Sequence, residues 1–178
     1  MNPEVKTVSA GEMPALLPAL TALLRDAVDG GASLGFLAPL DPGEAAAYWH
    51  VVLAEVRAGT RVLIIARLDG RGLVGSVQLA LATKANAKHR AEVEKLAVLT
   101  ADRGKGIGTA LMEAAHAAAL AKGRTLLVLD TRKGDFAETL YRSLGYSELG
   151  VVPGFTRDAR GESHDTVFFY KQLGAPPG

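Results

Sequence analysis

The stretch Arg103–Gly108, RGKGIG, constrains this chain more than any other. Gly104, Gly106 and Gly108 alternate between an apolar run ending at Leu99 and a segment in which Ile107, Ala110, Leu111, Ala114 and Ala118 recur at helical spacing. Glycine removes the Cβ that keeps an anion off the main chain. The first turn of a helix adds unpaired N–H groups at the positive end of its dipole. Such a strand-to-helix turn is suited to a phosphate. The alternative is a tight turn that holds nothing, and a lone Gly-x-Gly does not separate the two. Three alternating glycines flanked by Arg103 and Lys105 favour the anion.

Two familiar phosphate loops do not fit. Gly-Lys-Ser/Thr of a Walker A loop is absent. A dinucleotide site has some support, because Asp130 stands at the end of the next strand, where a ribose-binding acid belongs. The spacing Gly-x-Gly-x-x-Gly is missing, however, and only about 70 residues follow Gly108, too few for the further βα units of a Rossmann domain.

Around the turn the chain reads as strand (Ala91 to Leu99), loop, helix (Ile107 to Ala121) and strand (Thr125 to Thr131), a βαβ unit whose strands are expected to be parallel. Upstream, Val5 to Val8 is a short apolar start, and Met13 to Val28 is an amphipathic helix stopped by Gly30 and Gly31. Pro42 to Ala58 is a helix with Asp41 as N-cap, Glu44 three residues later and Gly59 as terminator. Arg61 to Leu68 and Leu73 to Ala82 form a hairpin across DGRG. Downstream, Asp135 caps a helix from Phe136 to Leu144 that Gly145 ends, and Tyr146 to Val152 and Thr166 to Leu173 are strands. The order β, α, α, β, β, β, α, β, α, β, β defines an α/β fold with a mixed sheet of six to seven strands.

The 178 residues suit one domain, with 174–178 (GAPPG) a fraying tail. A net charge of +1 excludes the strong positive field that unspecific nucleic-acid binding needs. The absence of cysteine excludes thiolate metal sites and thiol nucleophiles, and the four His include no His-x-x-x-His pair, so no metal is expected. No segment suggests membrane insertion or export, so a cytoplasmic location is expected.

Arg103, Gly106 and Gly108 reproduce Arg/Gln-x-x-Gly-x-Gly/Ala, and the chain resembles the GNAT family of acetyl-CoA-dependent N-acetyltransferases on that motif. LYRSLGY, from Leu140 to Tyr146, is similar to the family's second cofactor segment. GGASLGF, HRAEVEKLAVL, RGKGIG, LLVLDT and VPGF are similar to a branch that inactivates a β-lactam amino-acid toxin. The resemblance implies a sheet whose central parallel strands splay near Ala97 and Val98. Main-chain groups of Leu96, Ala97 and Val98 would pair with the pantetheine arm of acetyl-CoA. The diphosphate would lie on the N–H groups of Gly104, Lys105, Gly106, Ile107, Gly108 and Thr109, with Arg103 alongside. Many relatives carry an Asn before the last helix, where this chain has Lys133, Gly134 and Asp135. Asp135 is read as a cap.

Acetylation of an amine requires a neutral nitrogen, yet an alkyl amine with a pKa of about 10 is protonated at neutral pH. A base is needed, and then an acid near the departing sulfur. Glu92 and Glu94 alternate with Val93 and Lys95, which predicts that both share a face with Leu96 and Val98. The resemblance implies that Glu92 is the base, with Asp130 on the neighbouring strand as a second candidate and Glu94 a weaker one. An ordinary solvated or salt-bridged acid, with Lys95 or Arg132 as one partner, is the alternative for each. Tyr141 is the candidate acid, and its helical face with Ala137, Leu140 and Leu144 also suits a core residue. The acceptor pocket is expected to be walled by Gly30 to Phe36, Trp49, His50 and Val152 to Asp165. His164, Trp49 and Phe36 are each read as more ordinary solvated or packing residues than ligand contacts. The expected partner is a small-molecule amine, with a homodimer one admissible assembly. A sensor that binds acetyl-CoA without transfer, or a structural protein with an empty turn, are the competing functions.

Overall fold

The computed structural model describes residues 3–174. Its elements are β1 (Glu4–Val8), α1 (Met13–Asp29), α2 (Pro42–Ala58), β2 (Arg61–Leu68), β3 (Gly72–Leu81), β4 (Arg90–Val98), α3 (Ile107–Ala121), β5 (Leu126–Arg132), α4 (Phe136–Ser143), β6 (Ser147–Arg157) and β7 (Ser163–Gln172). They follow the order read from the sequence. The expected fraying of 174–178 lies, from 175 on, outside the described residues. The strands form a seven-stranded mixed sheet, β1-β2-β3-β4-β5-β7-β6, parallel only between β4 and β5.

Local chemistry sets the helix ends. Asp41 Oδ1 accepts the N–H groups of Gly43 and Glu44 at 2.8 and 3.0 Å, and Gly59 closes α2 in the left-handed conformation. Asp135 Oδ1 accepts the Ala137 N–H at 3.2 Å, as its reading as a cap requires. Glu138, at the third helical position, reaches back to the Gly134 N–H.

Strand alternation then sorts the core into two layers. Val62, Ile64 and Ala66 of β2 face α3 together with Val93, Leu127, Leu129 and Phe169, and Tyr141 of α4 packs there too. Leu63 and Ile65 face the other way, onto Leu20 and Leu24 of α1 and Trp49 and Val52 of α2. The sheet is thus covered by α1 and α2 on one face and by α3 and α4 on the other. Gly75 sets how closely α3 approaches, since a Cβ there would lie 3.0 Å from Leu111 Cδ1 and 3.3 Å from Ile107 Cγ2. It would also lie 3.0 Å from the Ala97 carbonyl oxygen. Gly75→Val should therefore lower stability by about 1–3 kcal/mol in urea unfolding, by forcing α3 off the sheet.

Three expectations change. Lys95 has φ 53°, and the register with β3 slips between Ser76↔Ala97 and Gln78↔Glu94, so β4 carries a bulge. The extra residue reverses the alternation. Leu96 and Val98 pack on the α3 layer with Val93, not on the face of Glu92 and Glu94, while Ala97 packs with Leu23 and Ala27 of α1. Secondly, β4 and β5 pair only from Arg90↔Leu126 to Glu92↔Val128. They part right after Glu92, well before Ala97 and Val98. Thirdly, the expected connection Val152 to Asp165 is mostly strand. Shifts of register around Gly150 and between Val152 and Thr156 absorb Gly150, Pro153 and Gly154 as irregularities of an edge strand. Asp158 closes the β6–β7 turn by accepting the N–H groups of Arg160 and Glu162.

Candidate active site

Where β4 and β5 separate, a cleft of about 760 Å³ opens through the sheet, a size suited to a small-molecule site. It is lined from one side by Ala27 and Gly30–Gly35, from the other by the start of α3 and by α4, and between them by Glu92–Val98 and Asp130. This through-sheet opening explains how side chains from opposite faces meet. Glu92 and Asp130 alternate with core residues Ala91, Val93 and Leu129, so they lie on the α1 and α2 side. Tyr141 lies on the α3 and α4 side, and all three line the cleft.

The glycine turn forms the mouth. Gly104 and Gly106 have φ of 76° and 78°, conformations that side-chain-bearing residues adopt at a cost. Gly106 is the N-cap of α3 and offers no capping side chain. The Ala110 N–H is bonded to the Gly106 carbonyl, so the N–H groups of Ile107, Gly108 and Thr109 precede the first α-helical bond. Gly108 serves packing as well, for a Cβ there would meet Leu140 of α4 at 3.3 Å. This concave run of amides fits a diphosphate, and the unpaired stretch of β4 beyond Glu92 fits an extended amide-bearing arm such as pantetheine.

The two basic side chains of the turn behave differently. Arg103 lines the cleft, its Nε donating to the Val98 carbonyl at 3.3 Å. Lys105 does not line it. Its ammonium is drawn back onto Asp102 Oδ1 at 2.7 Å and the Ala101 carbonyl at 3.1 Å. Only the main chain of Lys105 is left for the expected cofactor contact. Asp102 is fully buried and also pairs with Arg71 of the β2–β3 turn at 3.0 Å, so it ties the glycine turn to that hairpin. Nothing in the spacing of Asp102 marked it in the sequence.

The acids divide as well. Glu94 Oε2 is bound by Arg61 at 2.6 Å, and Arg61 also holds Glu55. Glu94 is therefore the ordinary paired acid of its alternative reading. Among the described residues neither Glu92 nor Asp130 forms an ion pair with Lys95 or Arg132. Glu92 is solvent-exposed, and the partial shielding it meets at the cleft pushes its carboxyl above its ordinary value, with the nearby Glu94 and Asp130 charges adding to the shift. Asp130, exposed as well, is pushed in the same direction, first by partial desolvation, with Lys95 opposing and Glu94 adding. Tyr141 is buried against Tyr146 and Phe169, and desolvation, then Asp135 and Asp130, push its hydroxyl far above the usual phenol range.

The expected acceptor walls are corrected in part. Gly30–Gly35 line the cleft, but Phe36, Trp49 and His50 do not. Trp49 is 1% exposed in the α1–α2 core, and Phe36 stacks edge-on against Tyr48. Of Val152 to Asp165, Phe155 and Thr156 line the cleft, whereas His164 faces Asp158 at 3.2 Å. Thr131, Asp135–Ala137, Thr139 and Leu140 line it too. The second cofactor segment begins at Leu140 and so marked that residue, but it did not reach Thr131, Phe136 or Thr139.

The fold and the glycine turn define a GNAT acyltransferase architecture. The family model for the acetyltransferase (GNAT) domain matches residues 59–148, and the chain belongs to that family. It is an acetyltransferase with acetyl-CoA as co-substrate. The fold is similar to that of a phosphinothricin acetyltransferase from Sinorhizobium meliloti in complex with acetyl-CoA, at 20% identity over 98% of this chain and 90% of that one, TM-score 0.79. It is similar also to a ribosomal-protein-alanine N-acetyltransferase from Brucella melitensis, at 24% identity over 96% and 99% of the two chains, TM-score 0.78. A GCN5-related N-acetyltransferase from Kribbella flavida gives 20% identity over 96% and 98%, TM-score 0.78. No helix among the described residues is long and apolar enough to cross a membrane.

Proposed function

We propose that residues 1–178 form one N-acetyltransferase domain of the cytoplasm that acetylates the primary amine of a small molecule by direct attack within a ternary complex. The observation that carries this reading is the through-sheet cleft, which two unpaired acids and a buried tyrosine line from opposite faces. The similarity to the tabtoxin resistance protein and the phosphinothricin acetyltransferase fold support a finer reading: inactivation of a tabtoxin-like β-lactam amino acid or a related antibiotic.

When bound, acetyl-CoA supplies an activated acetyl carbonyl and a thiolate leaving group. The amides of Gly104–Thr109 and the Arg103 guanidinium would hold its diphosphate, and main-chain groups of Leu96–Val98 would hold its arm. Glu92 and Asp130 accept the proton of the incoming ammonium, directly or through a shared water. Their raised pKa values bring them closer to neutrality, where a base is most effective. Tyr141 retains its proton throughout the physiological range and remains an O–H donor toward negative charge that develops beside it. Tyr141→Phe should lower kcat by about 10–100-fold with the melting temperature little changed. Normal turnover and normal acetyl-CoA affinity in that variant would remove Tyr141 from the mechanism.

The reading is tested by following thiol release against a panel of a β-lactam amino acid, aminoglycosides and polyamines. Acceptor-dependent release is expected with at least one small amine. Acetyl-CoA binding without release to any of them would instead indicate a sensor.

A further inference from the structure

Lys95 lines the cleft, and the proposed chemistry gives it no task. It occupies the bulge of β4 with φ 53°, a left-handed backbone that a side-chain-bearing residue holds only where its surroundings enforce it. Its ammonium lies 5.8 Å from the Phe36 ring centre and 5.9 Å from that of Tyr48. Both rings are fixed: they meet edge to face, and the Tyr48 hydroxyl donates to Gln78 Oε1 at 3.0 Å. Gly35 gives the ammonium room, since a Cβ there would lie 3.3 Å from Nζ. Half-buried as it is, Lys95 forms no ion pair among the described residues, although Glu92, Glu94 and Asp130 are near enough for their charges to be felt. Arg61 is already engaged by Glu55, Glu94 and Gln78. Among the described residues, the acceptor side of the cleft thus offers two unpaired acids, Glu92 and Asp130, and one unpaired cation, Lys95.

We infer that Lys95 is a specificity residue that receives the carboxylate of an amino-acid acceptor and disfavours simple amines and polyamines. A zwitterion matches this charge pattern, its ammonium toward Glu92 and Asp130 and its carboxylate toward Lys95. A polyamine would instead bring a second positive charge to an ammonium that aromatic rings already hold in place. Removing water from the cleft strengthens both the match and the mismatch. The inference rests on the reading of the cleft as the acetyl-acceptor site.

The test compares a panel of L-amino acids with their carboxamides, using the wild-type protein, Lys95→Met, Lys95→Arg and Lys95→Glu. Two readouts are taken: kcat/KM from thiol release, and acceptor binding by calorimetry to protein saturated with CoA. The expected acid-to-amide ratio of kcat/KM falls by roughly 30-fold from wild type to Lys95→Met. It is largely restored in Lys95→Arg and inverted in Lys95→Glu. Comparing ratios between proteins cancels the different amine pKa values of an acid and its amide. An acid-to-amide ratio that is the same in wild type and Lys95→Met would overturn the inference while leaving acetyl transfer intact. If no acceptor gives thiol release, the transferase reading of the cleft fails and calorimetry alone decides. Amino-acid binding that weakens in Lys95→Met upholds the role of Lys95, and binding that is absent or indifferent to the substitution overturns it. Thermal melting of Lys95→Arg and Lys95→Met, expected to agree with wild type, separates these outcomes from misfolding.

Discussion

Replacing Glu92 by Gln and Asp130 by Asn in one protein is expected to cut turnover at neutral pH by about 100-fold or more, the usual contribution of a positioned general base. Each substitution keeps the shape and removes the charge. The pH profile carries the stronger signature. In the wild type, a base whose pKa is raised by desolvation and by its acidic neighbours becomes active only as pH climbs through that raised value. The acid limb of kcat/KM should therefore lie above the ordinary carboxylate range. In the double variant, neutral amine must come from solution, so the rate should climb about tenfold per pH unit until the amine's own pKa of about 10 is reached. Recovery at high pH supports the assignment, and unchanged turnover at neutral pH removes it. Glu94 serves as the contrast: its carboxylate is committed to Arg61, so Glu94→Gln should disturb folding more than proton transfer.

Substituting Ala at both Gly104 and Gly106 is expected to weaken acetyl-CoA binding by about 100-fold in calorimetry, equivalent to losing about two charge-assisted hydrogen bonds. Both positions have positive φ and no heavy atom within 4 Å of a built Cβ, so new methyl groups meet no protein atoms. They would instead crowd whatever lies on the amides. The backbone cost is controlled by Ala at Gly59 and Gly70, which share the left-handed φ and open surroundings but do not line the cleft. That control pair should lose comparable stability, about 1 kcal/mol per site, and keep its affinity. Equal loss of affinity in both pairs would mean that the glycines serve folding alone.

The parts of this molecule that were legible in the sequence are those decided by neighbours in the chain. Asp41 at α2, Asp135 at α4 and the DGRG turn all act within a few residues of themselves and form as read, and the glycines before α3 turn the chain into that helix. The bulge at Lys95 was not legible as such: EVEKLAV breaks its polar–apolar alternation at Glu94 and Lys95, but a break in pattern does not say how the strand is paired. Its register is set by pairing with Ser76 and Gln78 on another strand. The commitment of Glu94 to Arg61 depends on a partner 33 residues away, and the withdrawal of Lys105 onto Asp102 depends on how a short turn buries one acid. The parting of β4 and β5 right after Glu92 has the same origin. Periodicity reports that strands exist, not where two of them cease to pair. Glu92, Asp130 and Tyr141 could be named as candidates, but their convergence from opposite faces is a property of the gap.

The most direct test is a crystal structure of the protein grown with acetyl-CoA. The diphosphate should rest on the main-chain amides between Gly104 and Thr109, the pantetheine arm should run between β4 and β5, and the acetyl group should end within reach of Glu92, Asp130 and Tyr141. A diphosphate bound away from that turn, or an acetyl group directed out of the gap, would contradict the account.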